Sequence, residues 1–150
     1  TSEVMERVDT LSPEALERWR NKDNPMLDGL DALVGTAGVV DAAVGKTGSP
    51  YSWGAAGPDA FDCSGLTLYA YAAAGVTLPH YTGYQYQTGS HYPASQMERG
   101  DLIFYGPNGH GHVAIYIGNG QMIESPQSGD VVKISPVRYN GMTPNVVRLL

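Results

Sequence analysis

The chain contains a single cysteine, Cys63. One thiol cannot close an internal disulfide, and it cannot build a zinc centre unaided. Basic residues are scarce too: 9 against 15 acidic ones, for a net charge of −6, with no lysine- or arginine-rich run. That excludes a phosphate-tracking surface, and with it nucleic acid as a partner. No apolar stretch approaches the roughly 20 residues that cross a bilayer, so no membrane span is expected. Internal repeats and low-complexity tracts are lacking as well. What the sequence has instead is Gly 19, Pro 10 and Tyr 10 against only 16% charged residues. This mixture points to many turns, short strands and hydroxyl-bearing aromatics suited to line a polar groove. At 150 residues the chain is long enough for one domain with a real core.

Residues 1–46 read as helical. Ser12-Pro13-Glu14 is a helix start, with serine at the N-cap, proline at the first position and an acid in the first turn. That helix is expected to stop before Asn24-Pro25. A second start follows there, with Met26, Leu27, Leu30, Leu33 and Val34 at helical spacing. Gly35 and Gly38 weaken continuity, so a third piece is expected over about 37–44. Residues 46–60 are turn-rich. A central helix is expected over about 63–74, with Asp62 at its N-cap, Gly75 at C′, and Leu66, Tyr69, Ala70 and Ala73 on its apolar face. Thr82-Gly83-Tyr84-Gln85 has the form of a capping box and predicts a short helix after His80-Tyr81. Beyond residue 100 the pattern turns to strands, over 101–105, 111–117, 121–125, 130–135 and 145–149. Helix first and strands later, joined by tight turns, predicts an α+β fold with an antiparallel sheet. Residues 1–36 are expected to form an N-terminal helical appendage, and residues 37–150 the main domain.

Cys63 stands at the mouth of the central helix, in Phe61-Asp62-Cys63-Ser64-Gly65. A helix start leaves N–H groups unpaired and carries partial positive charge, and both favour the thiolate, which is the nucleophile. A buried cysteine acting as a small hydrophobe is the alternative. The polar, small neighbours argue against it. A cysteine nucleophile needs a base and a group that orients the base. His80, His91, His110 and His112 are the candidates for the base. His112 is best placed, because it opens the strand His112-Val113-Ala114-Ile115-Tyr116-Ile117. Gly118-Asn119-Gly120 then turns the chain into Gln121-Met122-Ile123-Glu124. In a three-residue loop Ile117 pairs with Gln121, Gly120 takes the left-handed position, and Ala114 lies opposite Glu124. His112 and Glu124 then share a face as diagonal neighbours within hydrogen-bonding reach. A two-residue Asn-Gly loop would instead place Glu124 on the opposite face. Taken singly, His112 reads as an edge-strand histidine and Glu124 as a solvated carboxylate; with Cys63 they read as a base and its orienting group. His110 and His112 lie on one face of the strand pattern, as a metal pair would. No further ligand sits nearby at suitable spacing, so no metal and no cofactor are expected. His80 and His91 lie in loops, on the surface or lining a groove.

These motifs together resemble the NlpC/p60 family of cell-wall cysteine peptidases. The resemblance runs from about residue 39 to 150. It rests on Tyr51-Ser52-Trp53-Gly54, Phe61-Asp62-Cys63-Ser64-Gly65-Leu66, Leu78-Pro79-His80-Tyr81, Arg99-Gly100-Asp101-Leu102-Ile103-Phe104 and His112-Val113-Ala114-Ile115-Tyr116-Ile117-Gly118. Gln121-Met122-Ile123-Glu124-Ser125-Pro126 and Gly141-Met142-Thr143-Pro144 are similar to the mycobacterial and corynebacterial branch, endopeptidases that cut peptidoglycan stems during daughter-cell separation. The resemblance implies a papain-like core, with the nucleophile helix packed on the sheet that carries the histidine. It implies hydrolysis of the bond between D-isoglutamate and diaminopimelate, with Cys63 as nucleophile, His112 as base and Glu124 at the third polar position. Tyr51, Asp62, Ser64 and His80 are implied to hold the stem peptide, although a helix cap (Asp62), first-turn packing (Ser64) and a core aromatic (Tyr51) are the structural alternatives. It further implies a secreted or wall-associated protein, any signal peptide lying outside this chain, with peptidoglycan stem peptides and other cell-wall hydrolases as partners. The segment between Trp53 and Phe61 is short for the family, and residues 1–36 have no counterpart in it. These first residues either brace the domain or lie across its groove. A catalytically idle wall-binding module, and an acyltransferase or amidase on the same scaffold, are the rival readings.

Overall fold

A computed structural model describes residues 25–150. The helix start expected at Ser12-Pro13-Glu14 lies outside these residues. Helix α1, Pro25–Val44, is continuous, so the two pieces expected on either side of Gly35 and Gly38 are one element. The expected boundary at 36/37 falls inside it. Each internal glycine costs a helix up to about 1 kcal/mol, which tertiary packing offsets here. Ala37, Val39, Val40 and Ala43 are buried, and a Cβ at Gly35 would lie 3.2 Å from Leu150 Cδ1, so the bare glycine surface abuts the chain's last residue.

Helix α2, Cys63–Ala72, follows the turn-rich segment. Asp62 caps it with extended backbone and a side chain that accepts from the Gly65 N–H at 2.7 Å. The chain leaves it through a turn in which Gly75 takes φ +78°. The buried face is Leu66, Thr67, Ala70 and Tyr71. Ala73, expected on that face, is exposed, because the helix ends before it. Tyr71 takes its place and donates its hydroxyl to the Gly100 carbonyl. Gly65 is required for packing: a Cβ there would lie 1.9 Å from the Ala55 carbonyl oxygen. The start of α2 is therefore pressed flat against the preceding loop.

Helix α3, Thr82–Gln85, is a single turn after Tyr81. It is not a capping box. Tyr81 is the N-cap residue without a side-chain bond, and both Thr82 and Gln85 are buried and turned toward α2.

Six antiparallel strands follow: β1 Ser90–Pro93, β2 Leu102–Tyr105, β3 His112–Gly118, β4 Gln121–Glu124, β5 Lys133–Pro136 and β6 Asn145–Arg148, in the order β1-β6-β2-β3-β4-β5. The edge strand β1 was not legible: Ser-His-Tyr-Pro is largely exposed and ends in proline. The sheet is buried on both faces, which explains why β2 is an unbroken apolar run. Leu102, Phe104, Val113, Ile115, Ile123 and Val147 pack with α1 and α2 in the larger cluster. Ile103, Tyr105, Ala114, Met122 and Val146 form a smaller one on the opposite face. The architecture is α+β, with the helices on one side of an antiparallel sheet whose edges are β1 and β5. A buried bidentate pair joins its far end: Arg148 donates to both Asp101 oxygens at 2.9 and 2.8 Å. Among the described residues no helix is long and apolar enough to cross a membrane.

Candidate active site

The β3–β4 hairpin decides what meets His112. Its loop is the two-residue Asn119-Gly120, both at positive φ (56° and 73°), as a type I′ turn requires. Gly118 therefore pairs with Gln121, not Ile117 as expected. The ladder then shifts between Tyr116 and Gly118, leaving Ile117 as a bulge. Beyond the bulge Tyr116 faces Met122 and Ile115 faces Ile123, which continues to Ala114 opposite Glu124. The bulge thus restores the face that the shorter loop would have reversed. His112 and Glu124 end on one side, with His112 Nε2 2.8 Å from Glu124 Oε1.

His112 opens β3 at the end of the sheet, beside the start of α2. With Nε2 committed to Glu124, Nδ1 is the ring nitrogen left for Cys63, whose thiol the ring engages. The Thr82 hydroxyl lies 3.4 Å from the sulfur, and the His112 ring and the Val113 backbone N–H also favour the thiolate. Burial pushes the Cys63 thiol up, but these donors and the imidazolium charge outweigh it and hold the thiol below its ordinary range. His112 moves the opposite way. Burial pushes it down, while the bonds and charges of Cys63 and Glu124 raise it. The two shifts together favour a thiolate–imidazolium pair at neutral pH.

Glu124 has no exposed surface. Burial alone would raise it, but bonds from Arg138, His112 and Ser135 keep it ionised far below the usual carboxylate range. Arg138 grips both oxygens: Nη1 donates to Oε2 and Nη2 to Oε1, each at 2.7 Å. Neither Arg138 nor Ser135 was singled out in the sequence. Both lie in or after β5, whose pairing with β4 no short motif announces.

Of the other expected site residues, Asp62 is spent internally. It accepts from Gly65 N–H at 2.7 Å and Gly54 N–H at 2.8 Å, and it lies 2.8 Å from His80 Nε2. Ser64 is buried, with its hydroxyl 3.4 Å from Asp62 Oδ1. Tyr51 bridges to Phe61, two residues before Cys63; burial raises its phenol, and the charges of Cys63 and Asp62 raise it further. Gln85, read in the sequence only as part of a capping box, locks the site from behind: its amide donates to the carbonyls of Ser64 (3.0 Å) and Pro79 (2.9 Å) and accepts from Thr67 (2.5 Å). His110 does not join His112. Its Nδ1 is 2.6 Å from the Tyr81 hydroxyl, and His91 bonds the Tyr86 carbonyl. Among the described residues no group of three or more His, Cys, Asp or Glu side chains is arranged to hold a metal ion. A cleft of about 410 Å³ opens beside His112 and Glu124, with Tyr105, Gln127, Lys133 and Arg138 in its walls.

Comparison with known proteins places this arrangement. The NlpC/P60 family profile matches residues 48–150. The peptidoglycan endopeptidase RipA of Mycolicibacterium smegmatis is 53% identical over 125 residues, covering 75% of this chain and 25% of RipA; the chain thus spans about a quarter of that relative. The solved structure of the peptidoglycan hydrolase RipB from Mycobacterium tuberculosis superposes with a TM-score of 0.75 at 46% identity, covering 79% of this chain and 66% of that one. RipD of the same organism, described as a non-catalytic NlpC/p60 domain protein adapted to peptidoglycan binding, superposes at 0.71 with 46% identity, covering 77% of this chain and 98% of that one. The family match and the shared fold agree with the motifs around Cys63 and His112: the chain belongs to the NlpC/P60 family.

Proposed function

We propose that the chain is a cysteine endopeptidase that hydrolyses peptidoglycan stem peptides between D-isoglutamate and diaminopimelate, acting at the cell wall in remodelling or daughter-cell separation. The observation that carries this reading is the row Cys63, His112 and Glu124, with the thiol held below and the imidazole above their ordinary ranges. The Cys63 thiolate attacks the amide carbonyl. The Cys63 backbone N–H, at the positive end of α2, stabilises the developing oxyanion. His112 passes its proton to the leaving amine, and water then cleaves the thioester with His112 as base. Glu124 keeps the ring oriented and balances its charge. Tyr51 and His80 form the wall on the Cys63 side and meet the stem peptide. Asp62 and Ser64 shape that wall from beneath, since their polar atoms are largely engaged within it. No metal and no cofactor take part. Other cell-wall hydrolases are the proposed partners, and residues 1–36 a brace for the domain rather than a cover for its groove.

RipD's description keeps a wall-binding role without catalysis in play for this fold. A polarised thiol beside an oriented imidazole has no use in passive binding, which favours the enzyme. Incubation of purified muropeptides with the parent chain and with Cys63→Ala, followed by mass spectrometry, separates the two. Cleaved stems from the parent alone support hydrolysis, and intact stems retained by both proteins support binding.

A further inference from the structure

The side chains continue the row past Glu124. Cys63, His112, Glu124 and Arg138 alternate in charge when the thiolate–imidazolium pair forms, each engaging the next. Arg138 spends two parallel bonds on a carboxylate that has no contact with solvent. Such a fork fixes the plane of the carboxylate as well as its charge. Oε1 takes one Arg138 bond and keeps a lone pair for His112 Nε2–H. Arg138 is itself clasped. Its carbonyl accepts from the Tyr105 hydroxyl at 2.7 Å, and its guanidinium lies 5.4 Å from the centre of the Tyr105 ring. The same ring stands 5.8 Å from that of His112, so Tyr105 holds both ends of the Glu124 contact.

We infer that Arg138 is a positioning residue for the proposed reaction: its fork on Glu124 fixes the His112 imidazole and moderates the negative field that the ring feels. The inference rests on the peptidase reading, and it sets a direction. The charged or titratable groups around His112 are Cys63 from α2, Tyr105 from β2, Glu124 from β4, and Arg138, Lys133 and Asp130 from the cleft wall. Lys133 and Asp130 pair with each other at 3.0 Å, which leaves Arg138 as the cation against Glu124. Removing it strengthens the pull of Glu124 on the imidazolium and withdraws a positive charge from the thiolate's surroundings. Both limbs of the pH profile then move to higher pH.

The test uses Arg138→Met, Arg138→Lys, Glu124→Gln and the Arg138→Met/Glu124→Gln pair. The rate of iodoacetamide alkylation of Cys63 against pH reports the thiolate without any peptidoglycan, so it fails independently of the peptidase reading. The alkylation midpoint is expected to rise in Arg138→Met by about half to one pH unit, as loss of a nearby opposite charge does. Muropeptide turnover is expected to fall about 10- to 100-fold, by analogy with the loss when the outer partner of a metal-binding histidine is removed. Arg138→Lys restores the alkylation midpoint but not full turnover, because a point charge cannot reproduce the fork. Added guanidinium restores part of the Arg138→Met rate. In the Glu124→Gln background, Arg138→Met adds no further loss, since the two act through one contact. An unmoved midpoint in Arg138→Met, or full additivity in the pair, overturns the inference. Circular dichroism of each variant confirms that the compared proteins are folded.

Discussion

At the residue scale, Cys63, the proposed nucleophile, owes its character to its surroundings. Burial works against its thiolate, and the His112 ring with the Thr82 hydroxyl and the Val113 N–H outweighs burial. The sign of each shift fixes the pH window. A thiol below its ordinary range moves the acid limb of kcat/KM to lower pH, and an imidazole above its ordinary range moves the alkaline limb to higher pH. We expect a bell whose alkaline limb lies above the ordinary imidazole value of about 6.5. A rate that climbs with the ordinary ionisation of a free thiol contradicts the pairing. Cys63→Ala and His112→Ala are expected to abolish turnover with the fold intact. Glu124→Gln is expected to retain a fraction, because Glu124 makes and breaks no bond. Chelators are expected to leave the rate unchanged, and zinc-restored activity after EDTA contradicts this. Cys63, His112 and Glu124 each lie in a short local motif and so could be singled out in the sequence; the contact of His112 with Glu124 was expected through a three-residue loop, whereas a shorter turn and a bulge produce it. Arg138 was not, since its only tie to Glu124 is through the packing of β4 against β5. Thr82 was visible for a different reason: its spacing from Gln85 mimics a cap, while both side chains are used to hold α2.

At the scale of elements, two joints set the geometry. One is the flat contact at Gly65. A methyl group there meets backbone, which cannot give way as a flexible side chain can. Gly65→Ala is expected to cost about 1–3 kcal/mol by overpacking and to displace Cys63, so that turnover falls further than the melting temperature alone explains. Activity near the parent's contradicts the contact. The other joint is the bulge. Hydrophobic alternation identified β3 and β4, yet it could not show that a two-residue turn and one extra residue combine to the register of a three-residue loop. Deleting Ile117 takes out the unpaired residue alone and leaves Tyr116 opposite Met122, so Glu124 stays on the face of His112. We expect a folded protein that keeps much of the parent's turnover. A loss of turnover matching that of Glu124→Ala contradicts this register.

At the scale of the whole molecule, helices lie on one face of an antiparallel sheet and the candidate row lies at its end, where α2 and β3 both begin. The class of the fold was legible because the period of the apolar pattern changes after residue 100. The continuity of α1 was not, since glycine propensity predicts breaks that packing against the core overrides. The helix that crosses the 36/37 boundary also bears on the N-terminal segment. Removing residues 1–36 cuts α1 but spares Ala37, Val39, Val40 and Ala43, which are buried in the domain. We expect turnover within about twofold of the parent and a lower melting temperature, as for a brace whose removal stays within ordinary stability effects. A large rise in rate identifies a cover over the groove instead. The proposed reaction is hydrolysis of one bond by an acyl-enzyme route through Cys63. Its most direct test is digestion of a defined diaminopimelate-containing stem peptide in heavy-oxygen water, with mass spectrometry of both products. The predicted result is a new D-isoglutamate carboxylate carrying one heavy oxygen, a free diaminopimelate amine, and no product from Cys63→Ala. Cleavage at another bond, an unlabelled acyl product, or equal turnover by Cys63→Ala would contradict it.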